Sequence, residues 1–188
     1  MKLRIRPVTP ELWPALEDLF GPWGASNGCW CMFWRIGGAY RGHRDENRAA
    51  LQEIVERGPP PGLLAFDGEQ AVGWCQITPR SALPHLDARP RFRRVDDEPV
   101  WSISCFYVRR SHRRRGVCEA LIRAAVKEAR RAGAPFVEAY PSPTSGGYRG
   151  YPSTFARLGF EAVAGPIMRL RLRRASRTRG RPPAAAGR

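Results

Sequence analysis

The run Cys105-Phe106-Tyr107-Val108-Arg109-Arg110-Ser111-His112-Arg113-Arg114-Arg115-Gly116-Val117-Cys118-Glu119-Ala120-Leu121-Ile122 decides the fold. Apolar residues lead into a basic loop, the loop into a glycine, and the glycine into helical spacing. Val100 to Val108 reads as a central strand. Trp101, Ile103, Cys105 and Tyr107 share one face, and Ser102, Ser104, Phe106 and Val108 the other. Residues 115–131 read as a long helix with Val117, Cys118, Leu121, Ile122, Ala125, Val126 and Ala129 facing in. Gly133 is its expected stop. A strand that feeds a helix through such a loop builds an anion cradle. The first N–H groups of a helix lack intrahelical partners, and the helix dipole adds positive charge there. A glycine lets the backbone approach the anion closely.

Working outward, residues 3–8 alternate apolar and basic and predict a first strand. Thr9-Pro10-Glu11 then opens a helix with Leu12, Ala15, Leu16 and Leu19 as its stripe, ended by Gly21-Pro22. Residues 44–57 predict a second helix facing inward through Ala49, Ala50, Ile54 and Val55. Gly62 to Phe66 and Gln70 to Ile77 are strands joined by an Asp67-Gly68 hairpin turn. Residues 79–98, rich in proline and charge, predict a long mobile excursion. Pro135 to Tyr140 predicts a fifth strand, residues 152–158 a short helix, and Phe160 to Leu172 a hairpin around Gly165-Pro166. The expected order is β-α-α-β-β-β-α-β-α-β-β. That is an α/β (α+β) chain with one mixed, mostly antiparallel sheet flanked by helices.

The chain has 188 residues, enough for one domain, expected over 1–172 and followed by a basic, disordered tail over 173–188. No run of about 18 apolar residues suggests a membrane span, and the N-terminus lacks a long apolar leader, so a cytoplasmic protein is expected. Five cysteines argue against a complete disulfide framework. Cys29-Trp30-Cys31 without a second Cys/His pair predicts no metal site. The formal charge is +15, and seven of the arginines lie in residues 171–188, which hold no acid. Such a tail reads as a solvated extension or as an arm for nucleic acid or an acidic partner. It lacks aromatics for base stacking, so the extension is preferred.

A second stretch completes the pattern. Thr154-Phe155-Ala156-Arg157-Leu158-Gly159-Phe160 ends in Leu-Gly-Phe, and Arg113-x-x-Gly116-x-Cys118 lies upstream. Together they resemble the GCN5-related N-acetyltransferases, whose loop reads Gln/Arg-x-x-Gly-x-Gly/Ala. Cys118 stands where the family has Gly or Ala. The likeness covers the chain up to the tail. It implies acetyl-coenzyme A as cosubstrate, with a pyrophosphate held by Arg113, Arg114, Arg115, Gly116, Val117 and Cys118. It also implies a pantetheine arm along the backbone of Phe106, Tyr107 and Val108. The implied activity is acetyl transfer to a primary amine, expected on a small molecule, by direct attack.

The chemistry itself is less clearly written. Members of the family often carry an acidic tyrosine on the late helix, and here that position is Phe155, which has no proton to give. Tyr151 is the substitute, with Tyr148 a second choice. Some relatives place a glutamate on the central strand where this chain has Ser102; with Ser104 it could hold a relaying water. Asp97, Glu98, Glu138, His85 and His112 are further candidates. Trp30, Cys31 and Trp34 fall where the family builds one wall of the acceptor pocket; buried core is the competing reading. The rival function is a non-catalytic acyl-coenzyme A-fold module whose tail meets nucleic acid or an acidic partner. A homodimer stays open.

Overall fold

In a computed structural model, residues 1–144 and 148–172 are described. Seven strands form one sheet in the order β1-β2-β3-β4-β5-β7-β6. They are β1 (Arg4–Pro7), β2 (Gly62–Asp67), β3 (Gln70–Pro79), β4 (Val100–Val108), β5 (Phe136–Ala139), β6 (Glu161–Ala164) and β7 (Ile167–Arg171). Every pairing is antiparallel except β4 with β5. The helices are α1 (Trp13–Phe20), α2 (Phe33–Ile36), α3 (Arg44–Arg57), α4 (Val117–Arg131) and α5 (Pro152–Arg157). This is the expected mixed sheet flanked by helices, with one short helix, α2, that the sequence reading did not separate from its aromatic surroundings.

Both faces of the middle strands are buried, which is why β2 and β3 read as nearly continuous apolar runs. On one face Leu63, Ala65, Val72 and Ile77 meet Val117, Leu121, Ile122, Ala125 and Ala129 of α4. Gly73 makes that approach possible: a Cβ there would come within 2.6 Å of the Val117 side chain. On the other face Leu64, Phe66 and Trp74 meet α1 and α3 through Leu16, Leu19, Phe20, Leu51 and Val55.

Several local expectations shift. Thr9 makes no side-chain cap; a 3-10 turn over Pro10–Leu12 precedes α1, which starts at Trp13. The buried side of α3 is Asn47, Leu51 and Val55, while Ala49 is exposed and Ala50 and Ile54 only partly buried. Asn47 heads that stripe because its amide donates to the carbonyls of Gly28 (2.8 Å) and Tyr40 (2.7 Å), which a hydropathy pattern misses. Asp67 pairs with Gln70, so the hairpin loop is Gly68-Glu69. The helix expected from 115 begins at Val117. The 79–98 segment is not a featureless excursion. Three 3-10 turns bury Leu83, Leu86 and Phe92 against Trp34, Tyr140 and Ile167 as a third apolar cluster.

The largest correction concerns β4. Gln76 pairs with Cys105 and Ile77 with Ile103, leaving Ser104 as an extra residue. This bulge changes the strand's phase. Ile103, Phe106 and Val108 therefore share the α4 cluster, and Cys105 and Tyr107 pack on the opposite one. The basic tail over 173–188 lies outside the described residues.

Candidate active site

β4 and β5 stay paired only as far as Ile103 and Ala139. β4 then runs on to Val108 while the chain after Ala139 turns away, so the strands part. Into the gap comes the end of the loop before α5. The Phe106 N–H donates to the Tyr148 carbonyl at 2.5 Å, and the Ser142 N–H to that of Gly150 at 3.0 Å. At the far end of β4, a 3-10 turn over Arg110–His112 leads to α4. Gly116 caps that helix with φ 82°, and a Cβ built there meets nothing within 4 Å. Arg114 also lies in the left-handed region, at φ 61°. Arg113 donates to the Val108 carbonyl at 3.2 Å. Beside the loop Arg109 pairs with Asp18, and the His112 Nε2 lies 3.3 Å from an Asp67 carboxylate oxygen, yet Arg110, Arg113, Arg114 and Arg115 have no acid among the described residues. An open backbone turn, the free N–H groups of a 15-residue helix and four uncompensated guanidiniums suit a pyrophosphate. Cys118 is partly buried against the core, and its thiol is pushed up by burial.

Beside the gap lies a pocket of about 320 Å³. Its walls are Gly24, Ala25, Ser26, Cys29 and Cys31 of a coil, Phe33 and Trp34 of α2, Tyr40, then Ser104 and Cys105 at the bulge, and Tyr148 and Arg149. The coil is tight because Ala25, Asn27, Trp30 and Cys31 all take positive φ. That geometry separates the aromatic residues that look alike in sequence. Trp34 lines the pocket, with its Nε1 donating to the Ser104 carbonyl at 3.1 Å. Cys31 also lines it, held by the Trp74 indole N–H at 3.1 Å. Trp30 does not. Its ring packs between Trp13 and Phe20, at centroid distances of 5.8 and 5.4 Å, in the α1 core. The neighbouring Cys105 and burial hold the Cys31 thiol well up, and burial beside Cys31 pushes Cys29 up to about 11.

Ser102 does not line the pocket. Its hydroxyl is 2.8 Å from the Tyr140 hydroxyl, which donates to Glu138 at 2.9 Å. Glu138 is 1% exposed and also accepts from Arg80 (3.0 Å) and Arg169 (2.6 Å). Ser102 thus belongs to a buried ionic network, and Glu138 is tied up as its anion. Burial, then the charge of Glu138, raises the Tyr140 hydroxyl above the ordinary phenol value. The other serine, Ser104, sits at the bulge and donates to Gln76 at 2.7 Å.

Residues 22–145 match the model of the acetyltransferase (GNAT) family. The chain belongs to this family. No curated protein sequence matches it. Among solved structures, a GCN5-related N-acetyltransferase from Kribbella flavida superposes with a TM-score of 0.51 at 18% identity, over 85% of this chain but 33% of its own. The present chain therefore spans about a third of that protein. A PaiA N-acetyltransferase from Thermoplasma acidophilum, solved with coenzyme A, gives 0.54 at 15% identity over 92% of this chain and all 100% of its own. A polyamine N-acetyltransferase from Drosophila melanogaster, which forms N-acetylagmatine, gives 0.57 at 11% identity over 91% and 100%.

Against that family frame, the late-helix position is informative. Phe155 is 0% exposed and packs on Phe106 and Phe160, at 6.2 and 5.1 Å. Its ring is core. Tyr151 stands at the N-cap position of α5, is 47% exposed and does not line the pocket, whereas Tyr148 does. No carboxylate or imidazole among the described residues lines the pocket. His85 stands behind Phe33 at 5.2 Å, and Asp97 and Glu98 are exposed. Phe33 belongs to the aromatic stretch that the sequence offers as a pocket wall, and it lines the pocket. The sequence reading missed Tyr40, Gln76 and Arg149. Gln76 and Arg149 carry no sequence signal of their own.

Proposed function

We propose that this chain is an acetyl-coenzyme A-dependent N-acetyltransferase acting on the amine of a small molecule. The observation that carries the proposal is the gap opened by β4 after Ile103, with the Gly116 turn at one end and the pocket at its side. The thioester cosubstrate supplies the acetyl group. In this reading Arg113 to Cys118 hold its pyrophosphate, and the backbone of Phe106, Tyr107 and Val108 holds its arm. Phe106 must exchange the Tyr148 carbonyl for that arm, since one N–H serves one strong acceptor at a time.

The amine sits in the pocket against Phe33, Trp34 and Cys31. The attacking amine must be neutral. An apolar wall disfavours its ammonium form, and the proton leaves to water at the pocket mouth. That removes the need for a carboxylate base, and none lines the wall. The hydroxyl of Tyr148 is better placed than that of Tyr151 to protonate the departing thiolate, because Tyr148 is on the pocket wall. Ser102 serves the pocket only indirectly, by holding Tyr140.

The test is coenzyme A release from acetyl-coenzyme A across a panel of amines, followed by chromatography with mass detection of the acetylated product. Turnover with at least one amine is expected. Tight coenzyme A binding with no turnover on any amine would overturn the reading and favour the non-catalytic module.

A further inference from the structure

Among the described residues, seven arginines are at least partly buried: Arg35, Arg48, Arg80, Arg89, Arg109, Arg149 and Arg169. Four of them have an acid: Arg48 has Glu17, Arg80 has Asp87 and Glu138, Arg109 has Asp18, and Arg169 has Asp96 and Glu138. The other three, Arg35, Arg89 and Arg149, have none among the described residues. One belongs to the pocket wall, and the other two stand behind it, beside the wall residues Phe33 and Trp34. Arg149 lines it, with its guanidinium over the Phe92 ring at 5.4 Å. Arg89 lies over the ring of the wall residue Phe33 at 5.1 Å. Arg35 follows the wall residue Trp34 on α2; its Nη1 donates to the Ala82 carbonyl at 3.1 Å, and its Nε is buried without a partner. Exposed Arg91 adds a fourth charge, over the same Phe92 ring at 4.9 Å. The undescribed residues, 145–147 and 173–188, contain no Asp or Glu side chain that could supply the missing partner.

A protein that pairs its partly buried guanidiniums elsewhere leaves them uncompensated at one place. Leaving cations half-desolvated and adjacent costs free energy unless an anion joins them. The cost shows in Arg149, whose pKa is pushed down by burial and then by the charges of Arg91 and Arg89. The same wall is aromatic and thiol-lined, and it offers no acid to a second ammonium.

We infer that the acceptor is an amine that also carries a carboxylate on an apolar or aromatic body, with the carboxylate seated on Arg149 and supported by Arg89 and Arg35. The inference rests on the proposed acetyl transfer. It narrows the acceptor to amino-acid-like molecules and disfavours polycations. A planar guanidinium binds a carboxylate through two parallel N–H bonds, and the neighbouring cations raise the local anion potential. The amine of such a molecule is then left toward Ser104 and the gap, where the thioester would arrive.

The test compares phenylalanine, phenethylamine and spermidine as acceptors, and 3-phenylpropionate as a ligand that cannot be acetylated. Wild type should prefer phenylalanine over phenethylamine in kcat/KM by about 10–100-fold, the usual worth of a charged hydrogen-bonded pair. Arg149→Gln and, separately, Arg89→Gln should each shrink that ratio, with circular dichroism confirming the fold. Calorimetry should show 3-phenylpropionate binding to wild type and weakening in both variants. Turnover that favours phenethylamine or spermidine would overturn the inference while leaving acetyl transfer intact. So would a ratio untouched by both substitutions. If no amine is acetylated, the acetyl-transfer reading fails, and 3-phenylpropionate binding lost in Arg149→Gln would still support the anion subsite. Absent binding would end it.

Discussion

Replacing Glu138 by Gln keeps the shape of the side chain and removes one charge. Four hydrogen bonds end on its carboxylate: Arg80 at 3.0 Å, Tyr140 at 2.9 Å, and two from Arg169 at 2.6 and 3.1 Å. Arg80 is 3% and Arg169 9% exposed, so neither guanidinium can turn to water. Their other acids lie at the surface, Asp87 at 43% and Asp96 at 42% exposed. Among the described residues, Glu138 is the one anion fully inside with them. Removing one partner of such a group leaves uncompensated buried charge, at a cost of about 3–5 kcal/mol. Against a total stability of roughly 5–15 kcal/mol, that is a large share. For a chain of this size it corresponds to a fall in Tm of roughly 6–20 °C. Asp96→Asn is the control, since its exposed carboxylate should be worth at most about 1 kcal/mol. Urea unfolding of both variants, with an unchanged m value, measures the difference. A Glu138→Gln loss below about 1 kcal/mol, or one equal to that of Asp96→Asn, would refute the claim that this carboxylate anchors the network.

Gly116→Glu should weaken coenzyme A binding by about 10-fold or more in calorimetry through bulk and charge, while Gly116→Ala costs the fold only about 1 kcal/mol for its left-handed backbone. Tyr148→Phe should lower kcat by about 10²–10⁴-fold at unchanged cofactor affinity, and Tyr151→Phe should leave kcat within about twofold; the reverse result would move the acid to Tyr151. Cys29, with its thiol at about 11, should be only about a thousandth thiolate at pH 8, so iodoacetamide should label it slowly and about tenfold faster per pH unit above that. Fast labelling at pH 7 would contradict the burial argument. The same thiol fixes a sign. The fold favours its protonated form, the unfolded chain holds fewer protons above about pH 9, and stability should therefore fall as pH rises from about 9 to 11.

The parts legible in the sequence are those set by local spacing. The Gly116 turn and α4 follow from a helical stripe behind a basic loop, and β2 with β3 from apolar runs around a turn. The parts that were not legible depend on distant partners. Trp30 and Trp34 are chemically equivalent in the chain, and only the left-handed coil between residues 25 and 31 sends one to the core and the other to the pocket. Asn47 looks like a surface residue until two carbonyls satisfy it. Leu83, Leu86 and Phe92 are spaced by prolines rather than by a period, so their cluster shows only once α2 and Tyr140 cover it. Ser102 read as a catalytic residue because relatives place a glutamate at its strand position, and its bond to Tyr140, distant in sequence, shows only in the fold.

The bulge at Ser104 also limits how the chain can change in length. Odd-numbered residues of β4 before the bulge and even-numbered ones after it face α4, and the single extra residue makes that switch. Deleting it would rotate everything downstream by one position, sending Phe106 and Val108 out of the α4 core and Cys105 away from the pocket. Adding a residue there would do the same in reverse. The strand therefore tolerates exchange of side chains but not insertion or deletion. Length can vary instead in the turns of 21–43 and 79–98, which supply or support pocket walls without carrying the sheet's register.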